Sequence, residues 1–159
     1  MNIQIEKSTN AKVIHKIMMK AYEEYAHDAA PSSALSETVS SIKEALLNGQ
    51  EALVGTIAGQ PIACVRYKIH DNGLQFFRMS VLPTMQGLGI AKQLINELEQ
   101  IARTANLNTI YCRVRVSVLR NLQLYQSKGY SIYDQETVMT DEGVPIEVVS
   151  MKKIIAPLT

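Results

Sequence analysis

The N-terminal part of the chain changes from alternating to helical spacing of its hydrophobic residues. Ile3 and Ile5 alternate with polar neighbours, which predicts a strand over residues 2–6. A helix should follow, because apolar residues then recur at helical spacing after three possible N-cap residues. The caps are Ser8, Thr9 and Asn10, and the apolar face is Val13, Ile14, Ile17, Met18, Ala21, Tyr22 and Tyr25.

A loop and a second helix are predicted next. Residues 27–33 contain a proline and small residues, which is typical of a loop. Residues 34–47 have the helical spacing again and end at Asn48-Gly49, a favourable helix terminus. Three strands follow at 51–58, 62–69 and 74–82. The short turns between them, with Gly59 and Gly73, predict an antiparallel meander.

The rest of the chain alternates helices and strands. Its predicted helices are 87–103 and 119–128, and its predicted strands are 109–116, 130–139 and 146–154. The strands at 74–82 and 109–116 are joined through a helix, so they should run parallel in a right-handed crossover. We therefore predict one α+β domain over residues 1–159. It should have a mostly antiparallel sheet of six or seven strands, one parallel pair, and helices on both faces.

Composition restricts the classes of protein that remain. The chain has 159 residues, 47% hydrophobic and 19% charged, with a formal net charge of +1. That charge gives no electrostatic reason to expect a nucleic acid or an anionic membrane as partner. Cys64 and Cys112 lie in separate apolar runs and are expected to be buried free thiols in a reducing compartment. We expect a cytoplasmic protein that binds no metal, and the sequence leaves monomer and homodimer open.

The segment after the third strand of the meander carries the clearest chemical signal. Pro83 ends the apolar run, and Gly87 and Gly89 precede a helix. Glycines allow close approach of the backbone, and the free N–H groups of a helix N-terminus attract anions, so a phosphate-bearing ligand is indicated. A dinucleotide fingerprint fits poorly because its third glycine position is Lys92. The longer spacing and Gly-Lys-Ser/Thr ending of a P-loop are also missing from the sequence.

Two motifs resemble those of the GNAT superfamily of N-acetyltransferases. Residues 86–91, Gln-Gly-Leu-Gly-Ile-Ala, match the family pattern Gln/Arg-x-x-Gly-x-Gly/Ala at every specified position. Residues 124–130, Leu-Tyr-Gln-Ser-Lys-Gly-Tyr, match the family's Leu-Tyr-x-x-x-Gly-Phe/Tyr. Residues 80–83 also resemble the strand that holds the pantetheine arm, and the order of elements agrees over essentially the whole chain.

The resemblance implies acetyl-CoA as the acyl donor, bound where two parallel strands splay apart. Backbone groups of Met79 and Val81 should then bind the pantetheine arm, and the N–H of Val81 is a candidate donor to the oxyanion. Tyr125 matches the family's tyrosine that protonates the leaving thiolate, and Tyr130 is expected in the core. The pyrophosphate should lie on the loop and the first helical turn, namely Gln86, Gly87, Leu88, Gly89, Ile90, Ala91 and Lys92.

The general base cannot be transferred from the resemblance. Family members place a glutamate at the position of Gln75 or of Arg113, and neither residue here accepts a proton at pH 7. The asparagine usual seven residues before the tyrosine is Val118. Weaker candidates for the acceptor side are Glu23, Glu24 and His27, while His70 and Asp71 are expected to be exposed turn residues. A water relay without a dedicated base is equally open.

The identity of the acceptor substrate is what the sequence determines least. Arg113 and Arg115 share a strand face with Tyr111, so they could select an acceptor that carries a carboxylate or phosphate, or form a surface pairing instead. We expect acetyl transfer to the amine of a small molecule, with Glu24, Gln75 and Arg113 as candidate substrate contacts. A protein N-terminus or lysine as acceptor is one alternative. A non-catalytic acyl-CoA sensor is another, because the glutamates are missing.

Overall fold

The computed structural model describes residues 2–26 and 30–156. Within them, seven strands form one mixed sheet in the order β1-β2-β3-β4-β5-β7-β6. The β4–β5 pair is parallel and the other registered pairs are antiparallel, which confirms the predicted α+β fold class. The elements are β1 (Gln4–Lys7), α1 (Ala11–Tyr22), α2 (Val39–Leu47), β2 (Glu51–Ile57), β3 (Gln60–His70), β4 (Gly73–Val81), α3 (Ile90–Thr104), β5 (Thr109–Arg115), α4 (Leu119–Ser127), β6 (Ser131–Met139) and β7 (Pro145–Ile154).

Backbone contacts divide the chain into two compact units. The N-terminal unit comprises Met1–Lys68 and Phe76–Leu98, and the C-terminal unit comprises Ile69–Gln75 and Glu99–Thr159. Whether these units behave as the single domain expected over 1–159 stays a prediction.

The core of the N-terminal unit forms where α1 and α2 pack on the meander. Asn10 caps α1 by accepting a hydrogen bond from the backbone N–H of Val13, which selects it among the three candidate caps. Helical spacing then buries one face of α1 against β2 and β3. The buried members of this cluster are Ala11, Ile14, Ile17, Met18, Ala34, Ile42, Ala52, Val54 and Cys64.

The C-terminal unit contains the parallel pair and the last hairpin. The β4–β5 ladder covers Gly73–Gln75 and Thr109–Tyr111, whereas β5 pairs with β7 over its whole length, from Thr109 to Arg115. Alternate residues of β5, including Cys112 and Val114, are buried. Tyr111 and Arg113 lie on its other face, as the alternation predicted. Strand β6 is the last strand in the sheet order and pairs with β7 alone.

Two helix starts predicted from the sequence are wrong. The second helix begins at Val39 and not at residue 34, because Ser33–Ser36 forms a 3₁₀ turn and Thr38 then caps α2 in a capping box with Ser41. The third helix begins at Ile90 and not at residue 87. In the first case the apolar spacing extends across a 3₁₀ turn, and in the second the predicted start included Gly87 and Gly89, whose backbone is left-handed.

Both cysteines are buried and free, as predicted. Burial raises the pKa of the Cys64 thiol and of the Cys112 thiol to about 12, so both are held as neutral thiols. None of the helices in residues 2–26 and 30–156 is long and apolar enough to cross a membrane.

Candidate functional site

The loop between β4 and α3 has a backbone that only glycine adopts readily. Gly87 has φ +81° and Gly89 has φ +79°, both in the left-handed region. Among residues 2–26 and 30–156, a Cβ atom built on either glycine would meet no heavy atom within 4 Å apart from its chain neighbours. The glycines therefore leave open space on the outer side of the loop, and no packing contact with the protein requires them.

The first turn of α3, next to this space, has backbone N–H groups without an acceptor inside the helix. Ile90 is buried and anchors the helix, while Leu88 and Lys92 are exposed. The N–H of Gln93 donates to the carbonyl of Gly89 at 3.2 Å. The N–H groups of Ile90, Ala91 and Lys92 precede it and therefore have no acceptor inside the helix. This 15-residue helix carries a positive dipole end at the same place.

Side chains of the N-terminal unit hold the end of β4 in position. The N–H of Leu82 donates to the carbonyl of Ile62 on β3, so the backbone groups of Val81 and Met79 face the opposite edge of β4. On that edge the carbonyl of Val81 accepts from Gln86 Nε2 at 3.2 Å. The carbonyl of Met79 accepts from the Tyr22 hydroxyl, also at 3.2 Å. The N–H groups of Met79 and Val81 are the donors that this edge offers to a ligand.

Tyr125 belongs to the C-terminal unit, where it is 4% exposed on α4. Its carbonyl accepts from the N–H groups of Lys128 and Tyr130, which closes the helix at Gly129. The rings of Tyr125 and Tyr130 are 6.3 Å apart. Tyr130 is buried, as predicted, and its hydroxyl donates to Glu99 Oε2 at 3.1 Å.

The acceptor-side candidates have different environments. Gln75 is half-buried on β4, opposite Tyr111 in the parallel ladder. Arg113 is exposed and donates to the carboxylate of Glu136 on β6, which is the surface pairing that the sequence left open. Glu24 is exposed in a 3₁₀ turn after α1. His27 lies outside the described residues.

The hairpin residues were predicted to be exposed. Asp71 is fully exposed, whereas the half-exposed ring of His70 contacts the Tyr111 hydroxyl, with Nε2 at 2.6 Å from the oxygen. Tyr111 also covers Gly73, where an added Cβ would lie 2.6 Å from the ring. A larger residue at the start of β4 would therefore displace the Tyr111 ring.

Sequence reasoning missed a cluster of charged side chains in the N-terminal unit. Arg66 is 2% exposed on β3 and donates to both carboxylate oxygens of Glu37, at 2.8 and 2.7 Å. Arg78 on β4 donates to the same carboxylate through Nε at 2.9 Å. A single charge inside the apolar run 62–67 was the available signal. Its partner could not be found because Glu37 lies in the segment mistaken for helix interior.

Comparison with known protein families identifies the family of this chain. A family model described as the acetyltransferase (GNAT) family matches residues 12–130. The chain therefore belongs to the GNAT acetyltransferase family. A comparison with curated proteins finds no matching sequence.

Solved structures agree on the fold. The ribosomal-protein-S18-alanine N-acetyltransferase of Escherichia coli is 19% identical, with a TM-score of 0.76 over 99% of this chain and 97% of that chain. The PaiA N-acetyltransferase of Thermoplasma acidophilum, in complex with coenzyme A, is 15% identical, with a TM-score of 0.79 over 98% and 100%. A putative acetyltransferase of Salmonella typhimurium, solved with acetyl-CoA, is 16% identical, with a TM-score of 0.75 over 100% and 97%.

Proposed function

We propose that the protein is an acetyl-CoA-dependent N-acetyltransferase that transfers the acetyl group to the amine of a small molecule by direct attack on the thioester. The observation that carries the proposal is the loop at Gly87 and Gly89. Its left-handed glycines leave open space in front of the free N–H groups of a long helix. Family membership and two similar structures that contain coenzyme A or acetyl-CoA support the same donor.

Each residue of the donor half has a distinct task in this proposal. The N–H groups of residues 87–92 bind the pyrophosphate, and Lys92 adds a positive charge from the exposed side of the helix. Gln86 stays a proposed contact of the cofactor, and its side-chain amide also donates to the carbonyl of Val81. It fixes the loop to the end of β4. The N–H groups of Met79 and Val81 donate to the pantetheine arm and to the oxyanion that forms on attack.

The acceptor amine must lose its proton before it attacks. Deprotonation of an alkylammonium ion, with a pKa of about 10.4, costs about 4–5 kcal/mol at pH 7. We propose a water relay, or an acceptor whose ammonium pKa is lowered by desolvation, because Gln75 and Arg113 accept no proton. Tyr125 is proposed to protonate the leaving thiolate. Glu24, Gln75 and Arg113 remain proposed contacts of the acceptor.

A thiol-release assay with acetyl-CoA tests the proposal. The panel contains amino acids, polyamines and amino sugars, with peptides bearing a free N-terminus or a lysine in a second set. Amine-dependent thiol release, with the amide product identified by mass spectrometry, is expected in the first set. Turnover with peptides alone would assign a protein substrate instead. Coenzyme A binding without turnover on any amine would overturn the catalytic proposal in favour of a sensor.

A further inference from the structure

The charged cluster of the N-terminal unit has an uneven charge balance. Arg66 and Arg78 share one carboxylate, that of Glu37, and Oε2 of Glu37 accepts from both guanidinium groups. The pKa of the neighbouring Tyr22 hydroxyl is raised to about 12 by burial, so that group stays neutral and adds no negative charge. Two cations and one anion leave a net charge of one positive unit among these three side chains.

Of the two guanidinium groups, that of Arg78 is the more exposed. Arg66 is almost fully buried, and Glu37 lies on it through two short contacts from a single guanidinium nitrogen. The side chain of Arg78 is 28% exposed. Its Nε and Nη2 contact Glu37 and Ser33, so one edge of the guanidinium is held while the group remains accessible to a ligand.

The backbone at Arg78 is strained. Its φ is +56°, although it is a long side chain in the middle of a strand. Strain of this kind costs about 1–3 kcal/mol and persists where the surrounding structure holds it. Here the Ser80 hydroxyl donates to the carbonyl of Arg78, and Glu37 and Ser33 hold the guanidinium. The conformation aims the side chain at the segment after α1.

Arg78 also lies on the same strand as the residues proposed to bind the pantetheine arm. It directly precedes Met79 and is three residues from Val81, which is about 10 Å along a strand. In the proposed function the donor's phosphates lie at the loop, and its acyl end extends along β4 away from that loop. An acceptor amine that reaches the acyl group therefore comes close to Arg78.

We propose that Arg78 binds a carboxylate of the acceptor, so that the substrate class is an amine that also carries a carboxylate. This inference rests on the proposed function. A guanidinium binds carboxylates with charge-assisted hydrogen bonds, and one excess positive charge matches a monoanion better than a doubly charged phosphate. The competing role is structural, in which Arg78 only holds Ser33 and Glu37 in position.

The experiment measures binding by titration calorimetry, so it does not depend on turnover. Its probes are N-acetylglycine, a carboxylate-bearing product analogue, and N-acetylglycinamide, its neutral counterpart. The variants are R78Q, R78K and the control K68Q, which removes a charge from an exposed residue of β3 in the same unit. In R78Q the charges of Arg66 and Glu37 still neutralise each other, so the fold should persist. Thermal unfolding checks that it does.

We expect N-acetylglycine to bind the parent protein about ten- to hundredfold more tightly than the amide, the range for hydrogen bonds to charged groups. R78Q should abolish that preference, R78K should retain part of it, and K68Q should leave it unchanged. Equal binding of the two probes by the parent, or an unchanged preference in R78Q, overturns the inference.

Turnover separates failure of the inference from failure of the proposed function. If glycine and glycinamide are both acetylated and R78Q lowers kcat/KM for both by the same factor, Arg78 has only the structural role. If no amine is acetylated while N-acetylglycine still binds through Arg78, the binding inference stands and the catalytic proposal fails. Tighter selection of O-phosphoethanolamine than of glycine would contradict the charge match and overturn the assignment of a carboxylate.

Discussion

Replacement of Gly89 by alanine separates the conformational role of the loop from its ligand-binding role. Gly89 has φ +79°, and a left-handed conformation costs an L-residue about 1–2 kcal/mol. The new Cβ meets no protein atom within 4 Å, so no steric cost is added in the free protein. For a chain of this size the expected loss of Tm is about 2–4 °C per kcal/mol.

The effect on coenzyme A should be larger. The added methyl group projects into the space where we place the pyrophosphate, and it should weaken one or two backbone hydrogen bonds to a charged group. At about 1.5–3 kcal/mol for each bond, one lost bond raises the Kd for coenzyme A about ten- to hundredfold. Titration calorimetry with coenzyme A, beside thermal unfolding of the free protein, measures both quantities.

Gly59 is a matched control. It lies in the same unit, in the β2–β3 turn, also has φ +79°, and a Cβ there also meets nothing within 4 Å. Gly59→Ala should therefore lose about as much stability as Gly89→Ala while binding coenzyme A as the parent does. Equal Kd values for the two variants would refute the assignment of the loop.

Three further predictions address the chemistry and the core. Tyr125→Phe should lower kcat by about 10²–10⁴, the usual contribution of a general acid, with little change in the KM for acetyl-CoA, and steady-state kinetics would show an unaffected kcat if the assignment is wrong. Glu37→Ala leaves the buried Arg66 without its carboxylate, so urea unfolding should show a loss of about 3–5 kcal/mol; a loss below 1 kcal/mol would mean that the pair is dispensable. Because burial raises the pKa of Cys64 and Cys112 to about 12, thiolate is scarce at pH 8, and Ellman's reagent should modify these thiols only as fast as the protein unfolds.

The glycine loop before α3 could be predicted from the sequence because its determinants are local. The pattern spans only one turn and one helix. It consists of two glycines within three residues of each other, a proline before them and apolar residues at helical spacing after them. The exact start of α3 was missed, because the sequence does not show that Gly87 and Gly89 are left-handed and that the helix begins only at Ile90.

The pairing of charged side chains was not predictable in the same way. Arg66 could be noticed as a charge in an apolar run, but its partner Glu37 is 29 residues away on an irregular segment. The exposed fraction of Arg78 and its strained backbone have no sequence signature. The pairing of Arg113 with Glu136, 23 residues later, likewise depends on how β5, β7 and β6 are arranged.

The sequence by itself determined the fold class, the family and the position of the glycine loop, because periodicity, turn chemistry and short motifs act between neighbours in the chain. Tertiary structure decided which charged side chains form ion pairs and which cluster carries a net charge. Arg66, Arg78 and Glu37 come from three separate segments, and only the packing of β3, β4 and the segment before α2 places one carboxylate between two guanidinium groups. Such balances depend on distance and burial, which a linear sequence does not specify.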